Sequence, residues 1–193
     1  IEQADSIALD PHKWLYQPFE AGGLMVRDVR ALERAMHVMP DYLLDAAIAD
    51  GDDALRPVNF ADRGPQLTRS PRALKVWLSI QCFGLDAFRE AIARTLELAA
   101  MAEARIRADD AFALATPASL GVVCFTRRTP GLDAGAADAV QLELVRALAA
   151  SRIGMISSTR IHGRTVLRLC VLNHSTRHTD VERVLDWLRE APL

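Results

Sequence analysis

A lysine follows a histidine in Asp10-Pro11-His12-Lys13-Trp14, after the apolar run Ser6-Ile7-Ala8-Leu9 and shortly before Gly22-Gly23. A primary amine held still at such a place and shielded from water is suited to form a Schiff base with an aldehyde. The same residues also fit a plainer reading, a solvated lysine beside a histidine that satisfies a turn. Tyr42, in Met39-Pro40-Asp41-Tyr42-Leu43, reads as a loop aromatic packed on a neighbouring surface. Arg168 interrupts the apolar stretch Val166-Leu167-Arg168-Leu169-Cys170-Val171, where an unpaired charge is costly, so a partner is expected. Arg69 and Arg72 open a helix, where cations oppose the dipole; this favours a specific partner more than usual, with surface solvation as the default reading. His162, His174 and His178 are scattered, and their spacing gives no metal site.

The elements that would position these groups follow from periodicity and punctuation. Strands are expected over 6–9 and 24–27, flanking the Lys13 turn. A short helix is expected over 28–36, with Leu32, Ala35 and Met36 on one face. Residues 40–65, with three prolines, two glycines and the acids Asp50, Asp52 and Asp53, read as a long mobile loop reaching from about residue 37. Ser70-Pro71 signals a helix start, and Leu74, Trp77, Ile80 and Gln81 recur at helical spacing up to Gly84. A second helix over 86–107 carries Phe88, Ile92, Thr95, Leu96, Ala99 and Ala102 on its apolar face. Beyond it, strands are expected over 112–115 and 120–126, separated by Pro117, followed by a helix over 136–151. Strands over 153–159 and 165–172 are joined by a hairpin at His162-Gly163. A last helix starts at Thr179, with Thr179 and Glu182 as a capping box and Val181, Val184, Leu185 and Leu188 as its buried stripe. The expected organisation is α/β, with residues 1–84 ending one domain and 85–193 forming a smaller α/β domain with a mainly antiparallel sheet.

Composition narrows the classes. The 193 residues are half apolar and a quarter charged, with a net charge of −2, which gives no electrostatic case for nucleic acid or an anionic membrane as partner. Cys82, Cys124 and Cys170 are widely spaced in apolar contexts, so buried thiols in a reducing, cytoplasmic compartment are expected. No apolar run reaches the length of a membrane span. The sequence begins at Ile1, almost inside the lysine motif, so a fragment or cleaved chain is expected.

Ala4-Asp5-Ser6-Ile7-Ala8-Leu9-Asp10-Pro11-His12-Lys13-Trp14-Leu15 resembles the cofactor-lysine segment of the pyridoxal-phosphate-dependent group II amino-acid decarboxylases. The similarity continues through Asn59-Phe60 and Leu67-Thr68-Arg69-Ser70-Pro71-Arg72-Ala73-Leu74-Lys75-Val76-Trp77 to the C-terminal strands. It covers nearly all of this chain but only the C-terminal part, somewhat under half, of a typical member. The resemblance implies an aspartate-aminotransferase-type fold (fold type I), with the end of the large domain followed by the small domain. It implies pyridoxal 5'-phosphate as cofactor, Lys13 as the Schiff-base lysine, and His12 as a contact to the cofactor phosphate. Asp10 stands where many relatives have Asn; its carboxylate would repel phosphate unless it faces elsewhere. The segment around Tyr42 resembles the catalytic loop of the aromatic-amino-acid subgroup, in which the matching tyrosine donates a proton after carbon dioxide leaves. Leu67 and Thr68 match positions that approach the partner subunit's cofactor in a homodimer, though relatives often have glycine at Thr68. Arg168 matches the arginine that holds the substrate α-carboxylate in glutamate decarboxylases; an ion pair within the small domain is the alternative. The ring that stacks on the cofactor and the aspartate that pairs with its pyridine nitrogen precede the lysine in relatives. The 193 residues alone are therefore expected not to bind cofactor productively and to need an N-terminal segment, from the same or a separate chain. The implied reaction is decarboxylation of an amino acid, more fittingly aromatic than glutamate. An aldehyde-forming or other lyase relative, and a non-catalytic assembly remnant, are the rivals.

Overall fold

The computed structural model describes residues 1–38 and 58–192. Tyr42 and the greater part of the loop expected over 40–65 lie outside the described residues. The chain forms two compact units, Ile1–Gln81 and Cys82–Leu193.

In the first unit, β1 (Ser6–Leu9) and β2 (Gly23–Val26) pair antiparallel, with Ser6 opposite Val26 and Leu9 opposite Gly23. This closes the ends of the segment that carries Lys13. The helix α1 (Val29–Met36) starts where the Asp28 carboxylate accepts the Arg30 N–H, an N-cap that satisfies one orphan donor. A 3-10 turn, Phe60–Arg63, is capped in the same way by Asn59 accepting from Ala61. Arg63 donates to Glu33 at 2.9 Å and the His37 ring meets Asp62 at 2.9 Å, tying α1 to this turn. Helix α2 (Arg72–Ala108) begins one residue after Pro71 and crosses into the second unit. Its regular geometry breaks at Gly84 (φ 78°, ψ 158°), a left-handed φ that glycine adopts without a Cβ penalty. The break falls where the sequence expects one helix to stop and another to start. The apolar stripe of the first segment is not covered: Leu74 and Trp77 are 50% and 57% exposed. Among the described residues of this unit only Pro11, Gln17 and Ala21 are buried.

The second unit holds the core. β3 (Phe112–Ser119), β4 (Val122–Arg127), β5 (Ser157–Ile161) and β6 (Arg164–Cys170) form an antiparallel sheet in the order β3-β4-β6-β5. Val123 pairs with Leu169 and Phe125 with Leu167, so these four share one face. They pack with Leu98, Ala102 and Ile106 of α2, with Leu144 and Leu148 of α3 (Ala134–Ser151), and with Val184, Leu185 and Leu188 of α4 (His178–Glu190). Burying each such leucine is worth about 1.5–3 kcal/mol before chain entropy is counted. Phe112 and Phe125 meet edge to face, centroids 5.4 Å apart.

Several boundaries differ from the sequence expectation. Pro117 does not end β3 but lies within it, because β3 is an edge strand whose register shifts between Leu114 and Ser119; a missing N–H is tolerated there. β5 starts at Ser157 rather than 153, since the left-handed Arg152 (φ 61°) at the end of α3 turns the chain before pairing begins. The hairpin to β6 turns through His162 (φ 48°) and Gly163 (φ 79°), the two positive values of a tight primed turn. At the start of α4, Asp180 rather than Glu182 closes the cap, accepting the Arg177 N–H at 2.9 Å; Arg177 has no acceptor with which to reciprocate. Leu96 is 38% exposed, and Leu98, two residues on, faces the core instead. Only Cys124 is buried; Cys82 and Cys170 are exposed, against the expectation for all three, because Cys82 sits on the uncovered stretch of α2 and Cys170 closes β6 on the face away from Leu167 and Leu169. No described helix is long and apolar enough to cross a membrane.

Candidate active site

Pro11 through Gln17 wind into successive turns: Lys13 N–H donates to Asp10 O, Tyr16 N–H to Lys13 O, and Gln17 N–H to Pro11 O. Tyr16 takes a positive φ of 52° to make this possible. Three anchors hold the turn. The His12 ring Nδ1 lies 2.6 Å from the Ala21 carbonyl, which assigns the proton to Nδ1 and makes that carbonyl the acceptor. The Ala21 N–H, 3.3 Å from the same nitrogen, then has no lone pair to meet there. Gln17, 6% exposed, donates to Leu15 O at 2.7 Å and to the Ser79 hydroxyl on α2 at 2.8 Å. Finally, the start of α2 grips residues 18–20: Arg72 binds the Glu20 carboxylate, and the Lys75 ammonium donates to Pro18 O and Glu20 O at 2.9 and 2.8 Å. The Arg72 guanidinium beside it holds the Glu20 carboxyl below the usual range.

The Lys13 amine stands at the top of this turn, 2.7 Å from Asp10, with the two side chains 61% and 45% exposed. The shielded amine expected from sequence is therefore open to solvent among the described residues, none of which packs over it. Asp10 faces Lys13, and hydrogen bonding and attraction to that lysine hold its carboxyl below the ordinary value. This is the "elsewhere" that an acid at this position requires. His12 does the work of a turn residue through Nδ1, packs edge-on to Phe19 at 5.2 Å, and has no partner at Nε2 among the described residues. The indole N–H of Trp14 is buried without an acceptor.

The other residues singled out are not gathered at this turn. Thr68 is exposed in the segment before α2 and its side chain makes no hydrogen bond among the described residues; its neighbour Arg69 shapes that segment by donating to Phe60 O and Gln66 O. Arg168 belongs to the second unit, on β6 between Cys124 of β4 and Ser157 of β5, half-buried on the face opposite the core. No carboxylate among the described residues pairs with it, so the ion pair that the sequence allows is not formed there. Gln17, Ser79, Glu20 and Lys75 were not foreseen. The one signal was the cationic first turn of α2, which needs acceptors; that they come from Pro18 and Glu20 is a long-range fact with no local trace.

A family model described as the pyridoxal-dependent decarboxylase conserved domain matches residues 1–128. The chain belongs to the pyridoxal-dependent decarboxylase family. Among curated relatives, it is 35% identical to an aromatic-L-amino-acid decarboxylase of Bacillus atrophaeus, over 96% of this chain and 38% of that protein. It is 33% identical to an L-2,4-diaminobutyrate decarboxylase of Rhizobium meliloti, over 98% of this chain and 37% of that one. The crystal structure of Oryza sativa TDC with PLP and tryptamine superposes with a TM-score of 0.85 at 26% identity, over 98% of this chain and 39% of that chain. The chain thus spans well under half the length of these relatives.

Pyridoxal phosphate is the cofactor of this decarboxylase family, and the residues present fit part of it. Lys13 and Lys75 are the lysines of the sequence. Lys75 spends its ammonium on two backbone carbonyls, whereas Lys13 is held by a single exposed carboxylate. Lys75 is thus the more firmly engaged of the two amines, and His12, with its proton on Nδ1, presents an unprotonated Nε2 that has no partner among the described residues.

Proposed function

We propose that this chain is the lysine-bearing part of a decarboxylase that converts an aromatic L-amino acid to its amine and carbon dioxide. The observation that carries the reading is the contrast between the two lysines, one engaged in structure and the other presented on an anchored turn. When bound, pyridoxal phosphate accepts the electron pair left behind as carbon dioxide departs. The chain's own part is to hold that group through the Lys13 amine and to yield it to the substrate amine. The Lys13 amine is bonded to Asp10, so bond formation requires it to leave that carboxylate and shed a proton. His12 would support the phosphate, with Asp10 and Thr68 at its margin. Arg168, with its guanidinium unclaimed by any described carboxylate, would take the substrate carboxylate. Tyr42 would return a proton to the substrate carbon.

The family's ring-stacking and pyridine-nitrogen groups would come from a segment preceding Lys13, in the same or a separate polypeptide, in a homodimeric enzyme with its end of the large domain in the Ile1–Gln81 unit and its small domain in the Cys82–Leu193 unit. Two observations support this: the chain spans 37–38% of its curated relatives, and Phe60, Leu67, Trp77 and Leu78 of the first unit are at least half exposed. The relative named for an aromatic substrate supports the choice of side chain. The test is borohydride trapping with pyridoxal phosphate, read by peptide mass spectrometry, with and without the preceding segment. A stoichiometric adduct at Lys13 is expected only with that segment present; an adduct at Lys75, or a full adduct on the 193 residues alone, would overturn the reading. Product analysis with tyrosine, tryptophan and diaminobutyrate then decides the substrate, and amine against aldehyde plus ammonia decides the reaction.

A further inference from the structure

The second unit contains a cavity of about 660 Å³ bounded by β3, the end of β4, the start of β6 and the first turns of α3. We propose that this cavity binds a small molecule through an oxyanion, a phosphate or a carboxylate, held by Arg127 and Arg128. Its floor is built rather than incidental. Gln141, 2% exposed, accepts the Arg127 N–H at 2.9 Å and donates to Arg127 O at 3.0 Å and Ala137 O at 3.3 Å. A buried amide with its oxygen and nitrogen both engaged fixes the backbone of Arg127 against α3.

The charges around the cavity leave a cationic surplus. Arg164 is neutralised by Asp138 at 3.0 Å, and the second oxygen of Asp138 takes the Thr165 N–H at 3.1 Å. Asp110 is exposed at the rim. Arg127 is half-buried and Arg128 is exposed, and neither pairs with a carboxylate among the described residues. Arg127 donates one N–H to Ala191 O, and Arg128 donates Nε to Phe112 O at 2.9 Å, so each guanidinium is oriented with donors left over. Burial pushes the Arg127 guanidinium below its ordinary value, a cost that a neighbouring anion would offset. A planar guanidinium suits the oxygens of a phosphate or carboxylate, and both arginines line the cavity. Ala111, Ala113, Pro130 and Ala137 supply apolar wall for the body of such a molecule.

Inorganic phosphate and acetate, titrated in parallel into the 193-residue chain and followed by amide NMR, test this. Either should produce saturable shifts at Arg127, Arg128, Thr129 and Thr165. Sodium chloride at matched ionic strength should not. Arg128→Gln should weaken binding about tenfold, the worth of one charge-assisted hydrogen bond. Arg128→Lys, which keeps the charge and loses the fork, should fall between. Arg146→Gln, on the exposed side of α3, should change nothing. Shifts spread over unrelated arginines, equal shifts with chloride, or an Arg128→Gln protein that binds both anions normally would overturn the proposal.

Discussion

Asp109 offers a quantitative test of how the second unit is held together. It sits where α2 ends and β3 begins, with its side chain 5% exposed. One carboxylate oxygen accepts the Ala111 N–H at 2.9 Å; the other accepts from Arg105 at 2.6 Å and lies 3.6 Å from Arg189 of α4. Asp109→Ala leaves the Ala111 donor without its partner, a loss of about 1–3 kcal/mol. The Arg105 pair adds about 1 kcal/mol, because that guanidinium is 30% exposed and can rehydrate or rely on Asp186 at 3.3 Å. Arg189 is 56% exposed and adds little. The expected loss is therefore about 2–4 kcal/mol at neutral pH, against less than about 0.5 kcal/mol for Asp86→Ala, whose pair with Arg89 is solvated. Urea unfolding followed by Trp187 fluorescence, in a Trp14→Phe/Trp77→Phe background, reads the second unit. The pH dependence has a definite sign. The Ala111 N–H, and then Arg105 and Arg189, hold the Asp109 carboxyl below its unfolded value against the opposing effect of burial. Its contribution is then complete above about pH 4 and disappears as pH falls through the lower folded value, so the gap between parent and variant should close on acidification. A loss below about 1 kcal/mol at pH 7, or a gap that stays constant down to about pH 3, would refute this account.

Gln141→Ala should cost about 2–4 kcal/mol in the same assay, since it strands both the N–H and the carbonyl of Arg127, and an unchanged midpoint would contradict that. Gly154→Ala should cost about 1–3 kcal/mol, because a Cβ there would lie 2.6 Å from Val184 Cγ2 on α4; a neutral result would mean that α4 shifts freely. Asp10→Asn should speed trapping of Lys13 by pyridoxal phosphate in the assembled enzyme, as the amine no longer has to leave a carboxylate, and slower trapping would count against the release step. Tyr42→Phe should lower the yield of amine relative to aldehyde, with unchanged products refuting a proton-delivery role.

The second unit was readable from sequence because each of its elements buries a periodic stripe against the others. Val181, Val184, Leu185 and Leu188 are all buried, as their spacing on α4 requires. The failures there are local contests. Pro117 reads as a strand terminator until the edge position of β3 is known, and Leu96 and Leu98 both fit a helical face until the crossing of α2 over the sheet selects one.

The first unit fails in a different way, and the failure bears on the site. Leu74 and Trp77 recur at the spacing of a helical stripe, and among the described residues that stripe is exposed. Lys13 was read as shielded and stands open to solvent too. Shielding describes an environment rather than a residue, and an environment needs the atoms that surround it. What the sequence could convey was the chemistry intrinsic to the turn: an amine beside an imidazole, with a carboxylate three residues earlier. What it could not convey was that Gln17, Glu20, Arg72 and Lys75 fasten that turn to α2. The anchoring is local to this unit, so the Lys13 turn should keep its shape with its amine uncovered, and the covering segment would have to supply dryness and cofactor contacts rather than build the turn.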